Sequence, residues 1–286
     1  MDSKEILELK LRANLLRQDI ILELASAGSG HLASPLDLAD LYVLLFFKIL
    51  KYKVDDPTWN GRDLLFISNG HTVPAYYAIL SMLGIISREE LFTLRKFGSR
   101  LQGHPERTML NLLESTSGPL GSGLSQAAGY AYKLQYLPDA LDKDRYVYVT
   151  LGDGELDEGN IWEAVMFAFK YKLSKLIAIV DKNDIQLAGR IKDVMPLDSI
   201  ANKFKAFNWN VFVANGHDFM DMYEKIDQAK RAVGPSVIIL QTIASYGVSF
   251  LEGKYEWHGR VLEGELKDKA LSELREKEKV LLGESL

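Results

Sequence analysis

Tyr146-Val-Tyr-Val-Thr-Leu-Gly-Asp-Gly154, followed after twenty-eight residues by Asn183 at the end of Leu176-Ile-Ala-Ile-Val-Asp-Lys-Asn183, decides the fold. Residues 146–151 and 176–181 are rich in β-branched and aromatic side chains, so both read as buried strands, while the apolar stretch from Gly159 to Tyr171 between them reads as a helix. A strand, a helix and a second strand make a βαβ unit. Its right-handed crossover brings Asp153 and Asn183 to the same edge of a parallel sheet. The fold class expected is α/β, a mainly parallel sheet flanked by helices.

A carboxylate and an amide oxygen suit a hard octahedral cation that draws its other ligands from water, a main-chain carbonyl and phosphate oxygens. Magnesium fits this set and zinc does not. Gly152 and Gly154 allow close backbone approach to a diphosphate, and the N–H groups at the start of the following helix face the anion. A Gly-Asp-Gly triplet is also ordinary turn chemistry. The distant Asn183 and the acidic segment Glu155-Leu-Asp-Glu158 favour the cofactor reading, and the spacing points to thiamine diphosphate.

The chain has 286 residues, of which 47% are hydrophobic, so it can bury a large core. Residues 1–286 read as a single domain, with 264–286 as a charged terminal helix in which Glu265/Lys269 and Glu273/Lys277 are spaced four apart. Further helices are expected from Asp2 or Ser3 to Ala27, then over 36–50, 73–83 and 88–97, together forming a helical cap ahead of the sheet. Another helix is expected over 124–136. Beyond the βαβ unit come a strand at 209–214, a helix at 219–232 and a strand at 236–242. A net charge of −5 and the lack of a polybasic block argue against nucleic acid as a partner. The longest apolar run, Leu38 to Leu50, contains Asp40 and Lys48 and is too short to span a bilayer, so no membrane association is expected. There are no cysteines, which excludes disulfides and thiolate chemistry and is compatible with the reducing cytoplasm, where the chain is expected.

All five histidines adjoin a glycine: His31, His71, His104, His217 and His258. With 22 glycines among 286 residues this is far above chance, and it suits turns that present imidazoles to a site. Any one of them could equally be a structural hydrogen-bonder, and His217 is read that way. One apparent fingerprint fails on context. Gly28-Ser-Gly30-His-Leu-Ala33 matches a dinucleotide turn but follows a helix, and no P-loop pattern is present. Gly118-Pro-Leu-Gly-Ser-Gly123 reads as backbone kept open for a flat ligand.

Taken in order, Ser29-Gly-His31, Ser68-Asn-Gly-His71, Gln102-Gly-His-Pro-Glu106, Gly118-Pro-Leu-Gly-Ser-Gly123, the Gly152 motif and Trp257-His-Gly259 resemble the amino-terminal half of transketolase over nearly the whole chain. The resemblance implies the thiamine diphosphate-binding fold. It implies that Asp153, Asn183 and the main-chain carbonyl of Ile185 hold magnesium, and that His71, Gly152, Gly154 and His258 lie along the diphosphate. Gly118, Pro119 and Leu120 would border the aminopyrimidine. His31, His104 and His258 would face the sugar and assist proton transfer. Glu158 matches a glutamate in a carboxylate network at the family's subunit boundary, although a carboxylate at a helix N-terminus is also favoured by the macrodipole.

Ordinary transketolases continue for several hundred residues through a pyrimidine-binding domain, whereas this chain ends at Leu286. It therefore resembles the amino-terminal subunit of a split transketolase, a ketol-transferring enzyme active only with a carboxy-terminal partner subunit, with two copies of each chain in the assembly. A pentose phosphate is the default ketose donor, with an aldose as acceptor; a sulfonated or branched sugar is a variant. Two other readings stand beside it. One is the cofactor-binding subunit of a 2-oxo acid dehydrogenase, against which the Gln102-Gly-His-Pro and Trp257-His-Gly motifs weigh. The other is a non-catalytic scaffold that binds the cofactor for stability alone.

Overall fold

The computed structural model describes residues 1–139 and 144–283. Five strands form one all-parallel sheet: β1 (Leu64–Ile67), β2 (Val147–Gly152), β3 (Leu176–Lys182), β6 (Asn210–Asn215) and β7 (Ser236–Gln241), in the order β1-β2-β3-β7-β6. A small antiparallel hairpin, β4 (Ile185–Gln186) with β5 (Gly189–Arg190), follows β3 directly. Side chains of the central strands alternate between two buried layers. Tyr148, Ile177 and Ile179 join one core, while Val147, Val149, Leu176, Ala178 and Val180 join the other. Burial on both faces explains why these strands are nearly continuous apolar runs.

The first core is covered by α1 (Ser3–Ala27), α2 (Ala33–Asp37), α3 (Ala39–Leu44), α4 (Val73–Met82), α10 (Phe219–Arg231) and α11 (Gly264–Leu282). The second is covered by α6 (Ser122–Tyr136), α7 (Gly159–Lys170) and α9 (Ile200–Ala206). Short helices α5 (Arg88–Leu91) and α8 (Ile191–Val194) complete the set. From β1 to β3 the chain advances across the sheet; the first connection carries α4 on one face and α6 on the other, and the second carries α7 on the α6 face. The chain then reaches the far edge at β6 and returns through α10 to β7 on the other face. A cleft opens beyond the carboxyl ends of β1, β2 and β3.

α1 begins with a capping box in which Asp2 accepts the N–H of Glu5 while Glu5 accepts that of Asp2. The βαβ unit appears within a residue or two of its expected limits, and α11 fills the terminal helix expected over 264–286 as far as Leu282, with 284–286 outside the described residues. Three expectations are corrected. The helical cap is interrupted by β1, a fully buried four-residue edge strand that places Ser68–His71 at the ligand edge of the sheet. The helix expected over 36–50 divides into α2, α3 and a π turn at Leu45–Ile49. The helix expected over 88–97 stops at Leu91, after which turns lead to Arg95 at φ +59°. Among the described residues no helix is long and apolar enough to cross a membrane.

Candidate active site

A cleft of about 290 Å³ opens at the carboxyl edge of β1, β2 and β3. Asp153 lies at its floor, 3% exposed, with Oδ1 accepting the N–H of Gly154 at 2.8 Å and Oδ2 accepting that of Asp184 at 2.7 Å. Burial, and then the charge of Asp181, push its carboxyl up to about 8. A divalent cation placed there would reverse that balance and favour the ionised form.

Asn183 is oriented from behind. Its Nδ2 donates to Asp37 at 2.8 Å and to Ser34 at 3.3 Å, and its Oδ1 accepts the N–H of Ile185 at 3.1 Å, which puts the amide oxygen on the hairpin side. Asp153, Asn183 and Ile185 therefore border one cleft, as the sequence implied.

Four of the five histidines gather around the same space. The rings of His31, His71 and His258 have centroids 4.9 to 5.6 Å apart, and His104 lines the cleft with them. Burial is the first cause lowering all four imidazoles below their ordinary range; together with the charges of His258, His104 and Arg95 it brings His31 to about 4. Near neutral pH these rings are uncharged, able to accept a proton through one nitrogen and donate through the other. His217 sits elsewhere. Its Nε2 accepts the N–H of Ile243 and its Nδ1 bonds Asp40, with Tyr246 stacked 3.5 Å away, so its role is structural. A larger hollow of about 520 Å³ between α1 and α11 is lined by this network, whose donors and acceptors already satisfy one another.

Glu155 is the residue that the motifs alone did not single out. It is 3% exposed and accepts the hydroxyl of Ser68, the N–H of Gly121 at 2.6 Å and that of Gly152 at 3.0 Å. Ser68 in turn accepts the N–H of Gly123 at 3.1 Å. One carboxylate thus joins the turn after β1, the glycine loop before α6 and the end of β2. Gly121 has to be glycine, because at φ +82° a Cβ would lie 1.9 Å from the side-chain oxygen of Asn160. Burial pushes Glu155 up to about 7. Its acidic segment was visible in the sequence, but only the 3-10 turn at Gly154–Asp157 turns this carboxylate inward and leaves Glu158 exposed at the start of α7. Gly118 and Leu120 line the cleft; Pro119 is exposed and does not. Ser34, Asp181, Gln186 and Leu187 line it as well.

These residues fit a magnesium–diphosphate ligand. The oxygen atoms that Asp153, Asn183 and Ile185 could offer are one carboxylate, one amide and one main-chain carbonyl, a set that phosphate and water would complete to six. His31 Nδ1, His258 Nδ1 and Gln186 Nε2 are buried without a protein partner. All three belong to residues lining the cleft, where a polar ligand would satisfy them.

The fold and site define a cofactor-binding α/β domain with its cleft beyond the carboxyl ends of β1, β2 and β3. A family profile described as "Transketolase, thiamine diphosphate binding domain" matches residues 10–278, and the chain belongs to that family. The 6-deoxy-6-sulfo-D-fructose transketolase subunit SqwG of Clostridium sp. (strain MSTE9) is 38% identical over 275 residues, covering 95% of this chain and 98% of that protein. An apulose-4-phosphate transketolase subunit of Phocaeicola vulgatus is 36% identical, covering 96% and 95%. Homo sapiens transketolase is 35% identical, covering 98% of this chain but only 45% of its own length. The solved transketolase of Campylobacter jejuni subsp. jejuni NCTC 11168 superposes with a TM-score of 0.86 at 33% identity, over 96% of this chain and 43% of that one.

Proposed function

We propose that this chain is the amino-terminal subunit of a two-chain transketolase, moving a two-carbon ketol unit from a ketose to an aldose. The observation that carries the reading is the convergence of Asp153 and Asn183 with His31, His71, His104 and His258 on one cleft. The split form is supported by the relatives named as transketolase subunits, 38% and 36% identical over 98% and 95% of their own length.

Asp153, Asn183 and the Ile185 carbonyl hold the magnesium, and Gly152, Gly154, His71 and His258 border the diphosphate. Gly118 and Leu120, held by Glu155 through Gly121, border the aminopyrimidine. When bound, thiamine diphosphate supplies a carbon nucleophile and an electron sink for the two-carbon fragment. His31, His104 and His258 do the protein's part of the chemistry. Uncharged near pH 7, they take the proton from the donor hydroxyl whose oxygen becomes the carbonyl of the departing aldose, return it to the carbonyl oxygen of the acceptor aldose as the new bond forms, and donate hydrogen bonds to the developing alkoxide. The partner subunit supplies the glutamate that protonates the aminopyrimidine.

Self-association gives two copies of each subunit, with Glu158 at the boundary. The exposed apolar side chains of Tyr136, Met166, Phe167 and Phe169 on α6 and α7, with Leu137 beside them, support this. The donor is a ketose with an anionic tail, phosphate by default, and the assembly works in the cytoplasm. The test is ketol transfer by the purified chain with and without its carboxy-terminal partner. Activity only in the mixture is expected; robust transfer by the single chain overturns the two-chain reading, and pyruvate oxidation without ketol transfer replaces it with a 2-oxo acid dehydrogenase.

A further inference from the structure

The loop that carries His104 holds four cations between residues 88 and 100, and three are engaged away from the cleft. Arg88 pairs with Asp19 at 2.6 Å, Arg100 pairs with Glu90, and Lys96 donates to Ser26 at 3.1 Å. Arg95 differs from them. Its guanidinium makes no hydrogen bond or ion pair with any described residue, and its side chain is exposed. Its backbone is held in the left-handed region at φ +59°, with its N–H donating to Leu101 at 2.9 Å, a conformation that costs an arginine about 1 kcal/mol or more.

That turn aims the side chain at the site. The guanidinium lies flat on Gly103, so close that a Cβ there would stand 2.5 Å from its Nε, and a Cβ on Gly30 would stand 3.9 Å away. It therefore spans the residues immediately before His104 and His31, and its charge is among the influences that keep both rings neutral. The cleft lining itself contains Asp153, Glu155 and Asp181 but, among the described residues, no lysine or arginine. Arg95 stands just outside that lining, beside His31 and His104.

We propose that Arg95 is a substrate-binding residue that hydrogen-bonds the anionic tail of the ketose, a phosphate or a sulfonate, beside His31 and His104. The planar fork of a guanidinium matches a tetrahedral oxyanion and donates two parallel bonds to it, as a lysine cannot. The assignment rests on the ketol-transfer reading above and goes beyond it, because it gives the amino-terminal half a share in recognising the tail.

The test uses the complex purified with its carboxy-terminal partner and a single neutral acceptor, glycolaldehyde. Three donors are compared: a phosphorylated ketose, a sulfonated ketose and the neutral ketose erythrulose. Arg95→Ala is expected to lower kcat/KM for an anionic donor roughly 10- to 100-fold, mainly through KM, with a loss within about threefold for erythrulose. Arg95→Lys should restore part of the difference. Loss in one anionic arm identifies the tail as phosphate or sulfonate, and loss in both assigns Arg95 to oxyanions in general. Equal losses across all three donors, or a fall in kcat alone, overturn the assignment and make Arg95 a support for the His104 loop. A wild-type complex inactive toward every donor overturns the ketol-transfer reading itself, and the assignment with it.

Discussion

The carboxylate of Glu155 accepts the N–H of Gly121 at 2.6 Å, joining the turn that follows β2 to the glycine loop that precedes α6. The same carboxylate takes the Ser68 hydroxyl and the Gly152 N–H, so three motifs far apart in sequence share one buried acceptor.

Removing that acceptor leaves three buried donors unpaired. Glu155→Ala is expected to lower stability by about 2–4 kcal/mol and to weaken thiamine diphosphate binding at least tenfold, whereas Glu155→Gln, which keeps an acceptor oxygen, should retain most of both. Denaturant titration and calorimetry of the two variants measure this. Equal behaviour of Ala and Gln would leave no role for the acceptor.

Asp153→Ala and Asn183→Ala each remove one proposed oxygen ligand. Magnesium-dependent uptake of thiamine diphosphate, followed by calorimetry, is expected to weaken by about a hundredfold or more, with the fold intact by circular dichroism. Unchanged affinity in either variant would remove that residue from the metal site.

His104→Ala separates a catalyst from a scaffold. In the complete two-chain enzyme it should reduce kcat by about two to four orders of magnitude while cofactor affinity stays within about threefold, because His104 lines the cleft where the sugar is proposed to sit. Full turnover by the variant would support the scaffold reading.

Acid should loosen the chain through its histidines. In the unfolded chain His31 takes up its proton near pH 6.5, but in the fold only near 4, so between these values the unfolded state binds more protons. The stabilisation is complete above about pH 6.5 and is lost as pH falls toward 4. The buried carboxyls of Asp153, Glu155 and Asp181 are raised and act in the opposite sense as pH rises through their folded values, so the measurement is the difference between wild type and His31→Gln. Urea unfolding should show the wild type losing up to about 3 kcal/mol relative to the variant across that window.

Phe167→Glu tests the exposed face of α7, where Phe167 is 38% exposed beside the rings of Tyr132 and Tyr171. A carboxylate there should weaken self-association by about 2 kcal/mol or more, read by sedimentation equilibrium. An unchanged association constant would place the contact elsewhere.

The parts of the fold legible in the sequence were those whose signal is local and long. β2 and β3 are six- and seven-residue runs buried on both faces, and α1 announces itself with a capping box. β1 was overlooked because four apolar residues give no period, and it becomes a strand only by pairing with β2. The stretch after Leu91 keeps a helical pattern of apolar residues, yet tertiary contacts turn it at Arg95.

The sequence alone determined the cofactor class and the candidate metal ligands, because ligand chemistry depends on residue type and the spacing of strand ends is local. It also determined that histidines beside glycines matter, but not which ones meet. The tertiary structure decided that four of them face one cleft while His217 packs under Tyr246, and that Glu155 rather than Glu158 turns inward. Those outcomes depend on the strand order β1-β2-β3-β7-β6 and on a single 3-10 turn. Long-range pairing and the direction of one backbone turn follow from packing the whole core, and no short window of residues encodes them.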